Sequence, residues 1–342
     1  MTARPPRPAS RRRVAGLLLL GLVVAAPALA TGMESAGAPR VSRLWSVGLR
    51  WENDTISDND RFYTNGAVVS LSHTGPSWAE PIFRRLPWGE GRRTVTYSLS
   101  QTMFTPEDTE RQPADPADRP YAGVLTAGLG LHGDRGHRYD GLKLVLGVVG
   151  PWAGAGETQR EVHRILKTAV PRGWDSQLHN EPVVNLAYEH RRKYRWLGRA
   201  EGWALEGLPI AGAMLGNLIT QAQLGIQVRL GYRIPDDFGM TLLRGMSELP
   251  PPRHPAAGDT LGFAVHGGVG GNLVLRDLTL DGNTFRDSPS VDKKPFVPLA
   301  AVGLSVGSRR FLAAFSYVFA GEEFEGQHGS AQFGTLTFNY FF

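Results

Sequence analysis

The segment Gly334 to Phe342 alternates with a period of two: Leu336, Phe338, Tyr340 and Phe342 share one face, and Thr335, Thr337, Asn339 and Phe341 share the other. One face is apolar and aromatic and the other mostly polar, the pattern of a β-strand with a different medium on each side. Near the start of the chain Trp45, Val47, Leu49 and Trp51 alternate in the same way with Leu44, Ser46, Gly48 and Arg50. Beyond the N-terminal region no segment approaches the roughly 20 apolar residues of a spanning helix. Glycine is abundant (42 of 342 residues) and turn signals recur, so the chain reads as all-β. It has no cysteine, which removes disulfide frameworks, iron–sulfur clusters and cysteine nucleophiles.

Arg4, Arg7, Arg11, Arg12 and Arg13 precede the apolar run Val14 to Ala26 and the small-x-small pattern Ala28-Leu29-Ala30. A secretory signal peptide over 1–30 is expected, cleaved after Ala30. The formal charge of +5 then misleads, because five arginines lie in the leader and 5 − 5 leaves the mature chain near neutrality. Nucleic-acid binding has no support.

An exported all-β chain of this size is either a soluble sandwich or propeller, or a closed barrel in an outer membrane. The greasy, aromatic faces of the first and last strands favour the barrel. A terminal strand closing on Phe342 also resembles the signal read by the barrel-assembly machinery of bacterial outer membranes. Residues 31–342 are therefore expected to form a transmembrane antiparallel β-barrel, monomeric, of about twelve strands. Candidate strands lie near 42–53, 62–73, 92–104, 120–133, 139–149, 182–196, 200–213, 218–232, 259–275, 293–307, 310–321 and 330–342. With both termini in the periplasm, the connections 54–61, 105–119 and 150–181 share the outer side. The turns near 134–138 and 197–199 are short, as periplasmic turns should be. The segments 74–91 and 233–258 are long and proline-bearing, either periplasmic excursions or errors in the strand list.

The outer loops hold the chemistry. Between Trp51 and Gly66 a polar, carboxylate-rich loop brings the carboxamide of Asn53, the carboxylate of Asp54 and the hydroxyl of Thr64 to neighbouring strand ends, an oxygen-rich set suited to a hard cation such as calcium. Counting by twos from Val47 puts Asn53 on the lipid-facing phase. Asp58, Asn59 and Asp60 read as solvated loop-tip residues. In the third outer loop a short amphipathic helix is expected near 155–169, with Val162, Ile165, Leu166 and Ala169 as its apolar stripe. Gln159 and His163, four apart, share a face. The bland alternative is a plug or lid helix with an ordinary surface histidine. His73, His132, His137, His179, His190, His254, His266 and His328 read as structural.

Asn53-Asp54, Tyr63-Thr64-Asn65-Gly66, Asp118-Arg119-Pro120-Tyr121-Ala122-Gly123, Gly147-Val148-Val149-Gly150-Pro151, Gln159 to His163 and Gly173-Trp174-Asp175 occur in an order and spacing that resembles the outer-membrane lipid A 3′-O-deacylases. The resemblance spans nearly all of the mature chain. It implies a calcium-dependent hydrolase acting on lipopolysaccharide, removing the 3′-linked acyloxyacyl chain of lipid A. It also implies functional roles for Asn53, Asp54, Thr64, Gln159 and His163, with Asp54 and Asn53 at the metal, and a basic substrate-binding residue near Arg111. An acidic residue after the histidine has no counterpart, since Ala169 stands there; Glu157, Glu161, Asp175 and Glu181 are candidate substitutes. His163 is the expected general base, since imidazole titrates near neutrality. Arg160 and Arg164 are further candidates for lipid A phosphates. Two other readings stay open: an outer-membrane phospholipase, for which no convincing Ser-His pair is visible, and a non-catalytic porin or structural barrel.

Overall fold

The computed structural model describes residues 44–54, 62–167, 169–240 and 260–342. The expected signal peptide and Asp58, Asn59 and Asp60 lie outside the described residues. The strands are β1 (Trp45–Asn53), β2 (Phe62–Thr74), β3 (Arg92–Thr105), β4 (Ala122–Asp134), β5 (Arg138–Val149), β6 (Glu181–Arg192), β7 (Tyr194–Gly198), β8 (Trp203–Gly216), β9 (Ile219–Tyr232), β10 (Gly262–Asp277), β11 (Phe296–Gly307), β12 (Phe311–Ala320) and β13 (Ala331–Phe341). β6 and β7 both pair with β8 and together make one staff of the wall. The break falls at Lys193, whose backbone N–H donates to His137 O (2.8 Å) while its ammonium binds Asp236. The expected strand 182–196 is therefore one bent strand.

All neighbours run antiparallel, and β1 pairs with β13 from Ser46↔Phe341 to Asn53↔Gly334, closing a twelve-stranded barrel. Closure satisfies the two ladder edges that an open sheet would leave bare in hydrocarbon. β9 shows why the sequence closes this way round. Gln221, Gln223, Gln227 and Arg229 point to a buried lumen, and Leu224, Ile226 and Leu230 stand exposed on the outer wall. In water that arrangement would be inside-out. In lipid each exposed leucine keeps its apolar environment, and the polar face is shielded.

The end where β1 begins and β13 ends is sealed by paired charges. Arg229 binds Glu206 (2.7 Å) and Asp237, and Arg191 donates to the carbonyls of Phe238 (2.8 Å) and Met240 (2.9 Å), drawing residues 235–240 against the lumen-facing side chains. Residues 75–91 form an ordered excursion between β2 and β3. It carries α1 (Glu80–Phe83), and Phe83 and Trp88 bury against Val95 and Leu131 on the lipid-facing phase of β3 and β4. The other end carries α2 (Ala155–Leu166) and α3 (Leu278–Asp281), the latter capped by the Asp277 carboxylate accepting from Thr279 N (2.9 Å).

Candidate active site at the helix-bearing rim

At the end of β5, Gly150 adopts φ 99° and donates its N–H to Gly123 O at 2.8 Å, a single 3-10 turn covers Pro151–Ala153, and Gly154 at φ 69° turns the chain into α2. Both glycines sit at left-handed φ values where a side chain would be strained. The helix ends at Leu166 rather than near 169, because Lys167 takes φ 58° and caps it through an N–H bond to His163 O. A left-handed residue of this kind stops an α-helix, and Pro171 bars resumption.

The face that α2 lays on the wall is not the apolar stripe. Val162 and Ile165, half of the apolar stripe, are exposed, and Ala155, Gly156 and Gln159 are buried against the wall. Small residues win the contact because the helix lies close on β4. A Cβ at Gly123 would stand 2.5 Å from that of Ala155, and one at Gly156 would meet the Trp174 ring at 3.0 Å. Ala155, Met103, Tyr121 and Trp174 form the cluster beneath the helix. Gly123→Val should therefore lift α2 off the wall: limited proteolysis is expected to cut within 150–180 while the barrel retains its heat-modifiable gel mobility.

Gln159 is almost completely buried, and its Oε1 accepts from Trp174 Nε1 at 2.6 Å. Its Nε2 has no hydrogen-bond partner, a buried donor left for something else to accept. One turn on, the half-buried His163 places Nδ1 2.6 Å from Ala169 O. A carbonyl can only accept, so Nδ1 carries the proton and Nε2 holds a free lone pair. The orienting contact sought from an acidic residue is thus a backbone carbonyl of Ala169 itself. Glu157 and Glu161 pair instead with Arg160 and Arg164, Glu181 binds Asn217, Asn283 and Thr284, and the exposed Asp175 makes no bond to His163.

β1 stays regular to its end, so Asn53 keeps the outward phase of Leu49 and Trp51, and its Nδ2 donates to Thr64 O (3.1 Å). Asp54 is completely buried. Thr64 falls at an irregularity in the β2–β3 register between Tyr63 and Asn65. Bulges of this sort re-aim a side chain, and here the Thr64 hydroxyl meets that of Thr105 at 2.6 Å, two residues beyond Met103 under the helix. β3 thereby links the Asn53–Thr64 hairpin to the Gln159 platform. Arg111 stands apart, exposed and ion-paired to Asp115. Its loop is tied to the helix loop, since Arg172 N and Tyr121 Oη both donate to Thr109 O (2.9 and 3.1 Å). In the same loop Asp118 accepts from the Glu107 and Arg119 N–H groups, and burial holds its carboxyl above the usual range. Sequence reasoning passed over Thr105 and the Ala169 carbonyl, which carry no motif; Trp174 was visible only as part of Gly173-Trp174-Asp175.

Among the described residues no group of three or more His, Asp or Glu gathers as a metal cluster. The donors at the β1–β2 hairpin are nevertheless hard oxygens: a buried carboxylate, a carboxamide oxygen and a hydroxyl, with backbone carbonyls nearby.

A twelve-stranded outer-membrane β-barrel with a helix laid over its wall at the extracellular rim is the class that fold and site define. The family model described as outer membrane protein LpxR matches residues 17–342, and the chain belongs to that family. The solved structure of LpxR from Salmonella typhimurium is similar over 87% of this chain and 100% of that one, with a TM-score of 0.71 at 22% identity, a likeness of fold. The β domain of the Bordetella autotransporter BrkA (88% of this chain, 98% of that one, TM-score 0.42, 12% identity) and the translocator domain of NalP from Neisseria meningitidis (96% and 96%, 0.34, 12%) lie much further away. No curated protein matches the chain.

Proposed function

We propose that this chain is a calcium-dependent lipid A 3′-O-deacylase, hydrolysing the ester of the 3′-linked acyloxyacyl chain in the outer leaflet. The observation that carries the reading is the pair on α2: a histidine whose tautomer leaves Nε2 basic, one turn from a buried glutamine with a spare N–H donor, both on the outer wall that lipid A would meet. His163 Nε2 takes a proton from water as the water attacks the ester carbonyl, and the protonated ring returns it to the sugar oxygen as the ester C–O bond breaks, releasing the free hydroxyl and the fatty acid. Gln159 Nε2 donates to the developing oxyanion, a role Trp174 supports by fixing the amide through Oε1. Asp54 and the Asn53 amide oxygen would hold the calcium, which when bound supplies Lewis-acid polarisation of the carbonyl. Thr64 orients water or the metal shell through the shared hydroxyl bond with Thr105. The exposed Val162 and Ile165 suit a helix resting among acyl chains. Arg111, together with Arg160 and Arg164, would meet lipid A phosphates, Arg111 exchanging its Asp115 partner for them.

The phospholipase reading needs a serine and histidine that face lipid. Among the described residues a serine and a histidine do meet, His266 Nε2 and Ser316 Oγ at 3.0 Å, a pairing across strands that sequence spacing hides. Both residues are buried on the lumen side, away from any lipid chain, so attack by water at the rim is favoured. A porin is disfavoured by the buried ion pairs on the lumen side, Arg191 with Glu189 and Arg229 with Glu206 and Asp237.

Mass spectrometry of lipid A from cells with and without the chain, with and without chelator, tests substrate, bond and metal together. Loss of the 3′-linked acyl mass is expected only with the chain present and calcium available. Asp54→Asn should raise the calcium concentration needed for half-maximal rate by about tenfold or more, one lost charge–charge contact at a partly screened site. Unchanged lipid A in cells making folded protein would sink the reading.

A further inference from the structure

The opposite rim carries a second charged site, on the outside of the barrel. Asp140 belongs to the lipid-facing phase of β5, in line with Leu142, Leu144 and Leu146, yet its side chain is completely buried. Three donors hydrogen-bond to it, Tyr188 Oη at 2.7 Å, His190 Nδ1 at 2.8 Å and Arg135 Nη2 at 3.0 Å, and Arg138 Nε forms a longer ion pair with it at 3.3 Å. A carboxylate on a lipid-facing wall is costly unless paired and placed at the edge of the hydrocarbon. This one sits at that edge. On the adjacent strand Val184, Leu186 and Tyr188 stand exposed toward lipid, and Tyr194 and Trp196 follow on the periplasmic side, where aromatic girdles lie.

The charges do not cancel. Arg138 lies directly opposite Arg192 in the β5–β6 register, and Asp140 directly opposite His190. Like charges facing each other across a ladder are destabilising unless an anion lies between them. Arg135 and Arg138 both pair with the one carboxylate, and Arg192 stands across the ladder from Arg138, so three guanidiniums gather around a single acidic group. The Arg135 Nε and Arg138 Nε N–H groups remain without a hydrogen-bond partner. The exposed Arg192 makes only a long bond, 3.4 Å, to Tyr194 Oη. A guanidinium fork preset by a buried carboxylate, at the headgroup level of the membrane, is suited to a phosphodiester.

We propose that Arg135 and Arg138, held by Asp140, form with Arg192 across the ladder a binding site for the phosphate of an anionic glycerophospholipid in the periplasmic leaflet, with Tyr188, Tyr194 and Trp196 flanking its glycerol and first methylenes. The site lies at the rim opposite the candidate active site and does not rest on the deacylase reading. It would hold the barrel at a fixed depth and tilt, since a headgroup clamp resists vertical sliding.

Native mass spectrometry of the full chain released from nanodiscs of phosphatidylglycerol and phosphatidylcholine, mixed in equal parts with matched acyl chains, reads the selectivity directly. Wild-type barrel should carry phosphatidylglycerol over phosphatidylcholine, and Arg138→Gln/Arg192→Gln should lose about fivefold of that preference per arginine removed. Arg192→Gln alone, an exposed change that leaves the Asp140 network intact, guards against a folding defect and should lose about one such factor. Heat-modifiable mobility on gels verifies folding. Wild-type barrel with no preference overturns the proposal, as does an unchanged preference in the folded double variant or binding that added inorganic phosphate removes without lipid dependence.

Discussion

Replacing His163 by Asn should lower lipid A hydrolysis by about 10²- to 10⁴-fold, the span that general-base catalysis contributes. The substitution keeps a polar side chain on α2 and removes the basic Nε2. Because the Nδ1 bond to Ala169 O lies at an exposed helix end, its loss costs little fold stability, and circular dichroism and heat-modifiable mobility should match the wild type. The rate is measured as fatty acid released from purified lipid A in mixed micelles with calcium. A folded His163→Asn barrel working at the normal rate would remove the histidine from the mechanism and leave the oxyanion donors as the main contributors. A Glu introduced at Ala169 tests the orientation argument from the other side. The backbone carbonyl already fixes the tautomer, so Ala169→Glu should change the rate by less than about threefold, a small electrostatic increment at an exposed position.

Arg119→Met should destabilise the barrel by about 3–5 kcal/mol, the cost of leaving a partly buried charge without its partner. Arg119 is fully buried at the helix-bearing end. Its guanidinium donates to Glu323 Oε2 (2.9 Å) and Thr279 Oγ1 (3.2 Å) and lies 4.6 Å over the Phe104 ring. It thus joins the second outer loop to α3 and to the loop before β13, elements 160 and 204 residues away in sequence. Urea titration of the folded fraction in lipid vesicles checks the loss. Adding Glu323→Leu should recover part of it, since a well-packed apolar pair often equals a buried ion pair. If the single variant unfolds at the wild-type urea concentration, the network is ornamental. In the sequence Arg119 stood out only as a member of Asp118-Arg119-Pro120-Tyr121-Ala122-Gly123, with no partner in view. The structure supplies one in Glu323.

The barrel was legible because its signal is local. Each strand needs only its own alternation, and lipid on one side with a filled lumen on the other makes that alternation strong; β9 shows it with glutamines in and leucines out. Hairpin topology then follows from counting, since every connection joins neighbours, and the outer loops fall on one rim by parity. Asn53 landed on the outward phase for the same reason: β1 keeps its register to the end.

The features that parity does not reach depend on contacts between distant segments. Periodicity gave α2 an apolar stripe but not the face that meets the wall: Ala155, Gly156 and Gln159 are what it buries, because the close approach allowed by Gly123 favours small side chains and the Trp174 indole needs an acceptor. Val162 and Ile165 face outward because lipid, unlike water, sets no penalty on exposing them. The acidic residue absent from position 169 is replaced by a main-chain carbonyl, which every residue possesses and no motif can advertise. The bulge at Thr64, the lumen pairing of His266 with Ser316 and the arginine fork on Asp140 likewise arise from register between strands. The sequence by itself determined that this chain is a twelve-stranded membrane barrel with its polar loops on one rim, since each strand carries its own two-sided environment. Only the tertiary structure decided which helix face lies on the wall, which atom orients His163 and where the arginines gather around Asp140, because those depend on distances between segments that alternation leaves unspecified.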